Sequence, residues 1–128
     1  MDRKAFIQAL LERAARRGVS GEVCFDGDSS FEARVKDGEL LAYNVSDSAG
    51  LGFRVLKDGR TGTASTQILD EEALDQLIDG ALENATLVES KDEQFMYAGD
   101  ARYPELELYN PEIDAMDASV KIDMAMKL

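Results

Sequence analysis

Residues 50–66 read GLGFRVLKDGRTGTAST, with four glycines and one Asp-Gly pair in seventeen positions. Two readings compete for this stretch: a glycine-rich phosphate cradle and a tight hairpin. The phosphate reading fails on pattern. There is no G-x-G-x-x-G, no G-x-x-x-x-G-K, and no helix directly after the glycines. The hairpin reading has a mechanism. A two-residue type I′ turn needs positive φ at both central residues, which Asp tolerates and Gly accepts freely. Asp58-Gly59 therefore pairs residues 51–57 with residues 60–66. Gly62, inside the return strand, marks a close approach or a bulge. Gly50 and Gly52 mark a bend entering the first strand.

A second Asp-Gly pair, Asp37-Gly38, follows Val35-Lys36 just as Asp58-Gly59 follows Leu56-Lys57. It predicts a second turn of the same kind. Around it lie runs that alternate apolar and polar residues: Val23 and Phe25, then Phe31, Ala33 and Val35, then Leu41, Tyr43 and Val45. Strict alternation predicts short strands with one buried face.

Helices flank the strands. Phe6, Ile7, Leu10, Leu11, Ala14 and Ala15 recur at helical spacing over residues 3–17, with Asp2 as N-cap and Gly18 as the closing residue. Ala73, Leu74, Leu77, Ile78, Ala81, Leu82 and Ala85 repeat that stripe over residues 71–85, capped by Asp70. Residues 87–104 read as a loop. Leu106, Leu108 and Tyr109 read as briefly extended, and Pro111 breaks whatever precedes it. A third helix starts near Ala118, capped by Asp117, and reaches Leu128 without a closing signal. The open pattern predicts a fragment of something longer.

The expected fold is α+β. An antiparallel β-meander carries two amphipathic helices on one face, and a C-terminal helix leads out of the domain. Residues 1–90 form the α+β domain, and residues 91–128 a linker with the start of a helical segment.

Composition bounds the chemistry. The chain has 14 Lys and Arg against 26 Asp and Glu, a net charge of −12, which repels a phosphate backbone and argues against direct nucleic-acid binding. No apolar run is long enough to cross a membrane. With no signal peptide at the start and one cysteine, the expected location is the cytoplasm. There is no histidine, which removes the commonest general base and zinc ligand. Cys24, between Val23 and Phe25, reads as a buried inert thiol. Asp26-Gly27-Asp28 begins like a calcium loop but lacks the later glycine and the closing Glu. No catalytic or metal-binding residue is assigned. The partner- or peptide-facing candidates are Arg54, which alternates with Phe53 and Val55 and so points off the apolar face, together with Arg60, Thr63 and Ser65.

The order of parts carries a resemblance. An amphipathic helix and a strand meander precede Gly50 to Val55, read as G-x-G-[FI]-x-V. Arg60 to Thr66 follow as R-x-G-x-A-[ST]-[ST], and then an acid-capped helix ends in A-L-x-x-A. This resembles the N-terminal region of the TldD/PmbA family. Pro104 to Pro111, followed by a helix, is more similar to the PmbA (TldE) branch. The resemblance implies a subunit of a cytosolic metallopeptidase-like assembly that processes unfolded peptides. It implies a homodimer, or a heterodimer with a TldD-type subunit, and by family name a link to modulation of DNA gyrase. Zinc is implied only in a TldD-type catalytic partner, whose H-E-x-x-x-H motif has no counterpart here, so this chain is expected to be a non-catalytic scaffold without a cofactor. The alternative is a self-contained protein- or peptide-binding adaptor unrelated to proteolysis.

Overall fold

The computed structural model describes residues 1–128. Its elements are α1 (Arg3–Arg16), β1 (Ser20–Lys36), β2 (Glu39–Lys57), β3 (Arg60–Thr66), α2 (Glu71–Leu87), α3 (Pro111–Ala115) and α4 (Ala118–Met126). The three strands form one antiparallel sheet in the order β1-β2-β3. The chain divides into two compact units. The first comprises residues 1–27 and 49–98, the second residues 28–48 and 99–128. A division at residue 90 follows chain order, whereas these units follow packing, so residues 28–48 group with the C-terminal segment.

Local chemistry sets the ends of the elements. The Asp2 carboxylate accepts from the backbone N–H of Lys4 and Ala5 and opens α1. Gly18, at φ 70°, lets the chain leave the helix. Asp70 accepts from the Ala73 N–H at 2.9 Å and opens α2. At both Asp-Gly turns the two central residues have positive φ: 53° and 76° at Asp37 and Gly38, 52° and 74° at Asp58 and Gly59. This is type I′ geometry.

The core is built from three stripes. Phe6, Leu10 and Ala14 come from α1, Leu51, Phe53 and Val55 from β2, and Ala73, Leu74, Leu77, Ile78, Ala81 and Ala85 from α2. All are 5% exposed or less, so both helical stripes are buried with the inward residues of the central strand. Ion pairs link the solvent sides of the helices. Arg13 reaches Glu71 and, at 2.9 Å, Asp75, while Arg17 reaches Asp79 at 2.5 Å. Their carboxylates are more than half exposed, so the pairs align the helices more than they stabilise them.

The second unit contains no buried residue. Phe31 and Tyr43 meet edge to face at 5.4 Å, and the Lys121 ammonium lies 4.9 Å from the Phe31 ring centre. Glu32 accepts from Asn44 Nδ2 at 3.2 Å and from Arg34 Nε at 2.6 Å, which together lower its pKa. Asn110 caps α3 and Asp117 caps α4.

Several expectations need correction. The strands before the Asp58-Gly59 turn are two long ones, of 17 and 19 residues, not a series of short ones. β2 runs through Gly50 and Gly52 without interruption and neither has positive φ, so they lie inside the strand and not at its start. Alternation at Leu41, Tyr43 and Val45 correctly marks a strand, but the side chains are 64%, 47% and 65% exposed. Every residue of the buried core belongs to the first unit, so nothing comparable covers them. Cys24 is exposed: pleating turns it away from its half-buried neighbours Val23 and Phe25. Residues 106–109, read as briefly extended, pair with no strand of the sheet. Pro111 opens a short helix at its first turn, where a missing N–H costs nothing.

Candidate functional site

The register between β2 and β3 decides which side chains share a face. Leu51 faces Thr66, Phe53 faces Ala64 and Val55 faces Gly62, and these pairs turn toward the core. The alternate pairs, Gly52 with Ser65, Arg54 with Thr63 and Leu56 with Thr61, turn to the opposite face. Arg54, Thr63 and Ser65 are therefore brought together on the outer face of the sheet. Arg60 is not. Paired with Lys57 beside the turn, it has the parity of Gly62 and lines a cleft of about 350 Å³ with Lys57, Ala85 and Thr86.

Arg54 is half-buried and its Nη2 forms an ion pair with the Glu22 carboxylate of β1 at 2.8 Å. Its Nε is buried without a partner. The arginine of the central strand is thus anchored from the neighbouring strand, while Thr63 and Ser65 stay exposed on the β3 side. Glu22 was not legible as the partner, because pairing across strands depends on register.

β3 is also an edge of the sheet. In a two-residue hairpin the residues flanking the turn form a hydrogen-bonded pair, and such pairs alternate along the ladder. Arg60, Gly62, Ala64 and Thr66 therefore bond to β2, and the backbone groups of Thr61, Thr63 and Ser65 point outward. One outward group is occupied: Asn84 Nδ2 of α2 donates to the Thr63 carbonyl at 2.8 Å. Asn84 can reach it because α2 lies close on β3, where glycine at position 62 removes the side chain that would hold the helix away. The rest of the edge is a row of unpaired donors and acceptors, able to pair an extended chain by main-chain hydrogen bonds. Nothing in this arrangement supplies an acid, a base or a nucleophile with a partner. No three His, Cys, Asp or Glu side chains meet in an arrangement that could hold a metal ion.

Comparison with known proteins places this architecture. The family model described as PmbA/TldA metallopeptidase domain 1 matches residues 21–85, half of the chain. The chain belongs to the PmbA/TldD family. The matched span contains the hairpin, the β3 edge and α2 as far as Ala85, the parts that create the candidate surface. Two solved structures share the architecture of this PmbA/TldD domain. One, from Thermotoga maritima and described as a proposed modulator of a DNA gyrase, is 28% identical, with a TM-score of 0.85 over 97% of this chain. The other, from Bacteroides thetaiotaomicron and described in like terms, is 21% identical, with a TM-score of 0.76 over 95% of this chain, and shows the fold alone. The chain spans 28% and 29% of their respective lengths. No curated protein matches the sequence. No helix is long and apolar enough to cross a membrane.

Proposed function

We propose that this chain is the scaffold domain of a PmbA/TldD-type assembly that processes peptides in the cytoplasm, and that it performs no chemistry itself. The observation that carries the reading is the coincidence of two spans. Residues 21–85 match a metallopeptidase-family first domain, and nearly the whole chain superposes on under a third of a much longer relative. The chain has no histidine and no metal-ligand cluster, which removes the commonest general base and a metal-activated water. Chemistry in such an assembly resides elsewhere, with zinc held by a TldD-type subunit that pairs with this one. A homodimer is the other arrangement the family suggests. The role of this domain is to build the wall around the peptide, with Arg54, Thr63 and Ser65 on its exposed sheet face. Any influence on a DNA enzyme runs through protein contacts, because a net charge of −12 repels DNA.

The test is to incubate the purified 128-residue chain with an unfolded peptide, following cleavage by mass spectrometry and zinc by elemental analysis after dialysis. The expected result is intact peptide and no stoichiometric zinc. Cleavage that tracks the chain through purification, or one bound zinc per chain, overturns the scaffold reading.

A further inference from the structure

In the first unit a cleft of about 500 Å³ opens between the first turn of α1, the middle of β1 and β2, and the end of β3. Its apolar wall is made by Phe25, Leu51 and Leu69, and its cationic side by Arg3 and Lys4. The Arg3 guanidinium lies over the Phe25 ring, 4.6 Å from its centre. The contact holds the guanidinium against the ring face, and its N–H groups, outside any ion pair, can bind a planar anion. Arg13, Arg16, Arg17, Arg34 and Arg54 each have a carboxylate within ion-pair distance, whereas Arg3 and Lys4 have none. On a chain of net charge −12, two cations outside any ion pair, set against the single carboxylate of Asp2 in the same lining, are a local inversion of charge. The end of α1 is not itself the attraction, because the Asp2 carboxylate already takes the N–H groups of Lys4 and Ala5.

We propose that this cleft binds the C-terminal carboxylate of a peptide whose last side chain is apolar. The carboxylate pairs with the Arg3 guanidinium and with the Lys4 ammonium, and the side chain rests on Phe25, Leu51 and Leu69. The choice of a peptide rests on the peptide-processing reading above, while the charge and the wall stand without it. The combination discriminates on two counts. An amidated terminus loses the charge-assisted hydrogen bonds, and a polar last residue gains nothing from the wall.

The experiment titrates the ¹⁵N-labelled 128-residue chain with N-acetylated Ala-Ala-Ala-Leu, its C-terminal amide, and isocaproate, which has the same side chain and carboxylate without a peptide. The acid peptide is expected to shift the amides of Arg3, Lys4, Phe25, Leu51 and Leu69. The amide should bind at least about tenfold more weakly, the worth of a lost charge-assisted contact, and isocaproate more weakly than the acid peptide. The double variant Arg3→Glu, Lys4→Glu should lose at least about tenfold in affinity for the acid peptide. Both positions are exposed, and acidic residues suit the first turn of a helix, so the variant stays folded and its core amides report that. Equal binding of acid and amide, undiminished binding by the double variant, or isocaproate binding as well as the peptide overturns the proposal. A failure here leaves cleavage and zinc content, which test the scaffold reading, unaffected.

Discussion

Gly62 of β3 lies directly under Ala81 of α2, so that helix and strand meet through backbone. A Cβ at position 62 would overlap the Ala81 carbonyl oxygen and the Ala85 amide nitrogen, and would stand 2.8 Å from the Ala85 Cα. Backbone in the middle of a helix cannot rotate away as a flexible side chain can. This approach sets the height of α2 above the sheet. It also lets Asn84 reach round to the Thr63 carbonyl.

Gly62→Ala is therefore expected to destabilise the first unit by about 2–3 kcal/mol, the upper part of the overpacking range. Gly50→Ala is the control, because a Cβ at position 50 meets nothing within 4 Å. There the loss of unfolded-state freedom should leave stability unchanged or raise it by up to about 1 kcal/mol. Urea midpoints of the two variants compare the effects directly. Equal midpoints would mean that α2 is not seated on β3 as described.

Gly59→Val tests the turn. Gly59 has φ 74° and follows Asp58 at φ 52°. A β-branched residue resists this region, and the expected loss is at least about 1 kcal/mol. A Cβ there meets only Glu93 Cγ at 3.5 Å, so the cost comes from φ and not from a clash. An unchanged denaturation midpoint would contradict the type I′ geometry.

Tyr109 and Asp114 give a pH prediction in the second unit. The Tyr109 hydroxyl donates to the Asp114 carboxylate at 2.6 Å, and that hydrogen bond, with a little burial and the carboxylate charge, raises the phenol above its ordinary value of 10.0. A raised folded pKa means that the contact contributes below the unfolded value and is lost as pH rises through the folded one. Ultraviolet titration of the tyrosines, with Tyr109→Phe identifying the signal, should show Tyr109 ionising later in the wild type than in Asp114→Ala. Coincident titration curves would show that the pair does not form.

What the sequence determined by itself was everything decided within a few residues. The Asp-Gly pairs specified positive φ, the aspartates at positions 2, 70 and 117 specified helix starts, and the spacing of Leu10 and Ala14 or Leu74 and Ile78 specified which helical face is apolar. These are local matters of hydrogen bonding and dihedral angle, and no distant partner alters them. Tertiary structure decided what those faces meet. The same alternation marks Phe53 and Tyr43, yet one is fully buried and the other half exposed, because only the first unit assembles a closed core over its strands. Cys24 lies outside, Arg54 finds Glu22, and Asn84 occupies one carbonyl of an otherwise open edge. Each of these depends on register or on the height of a helix above a sheet. Such quantities belong to pairs of residues far apart in the chain, so a pattern read along the chain cannot contain them.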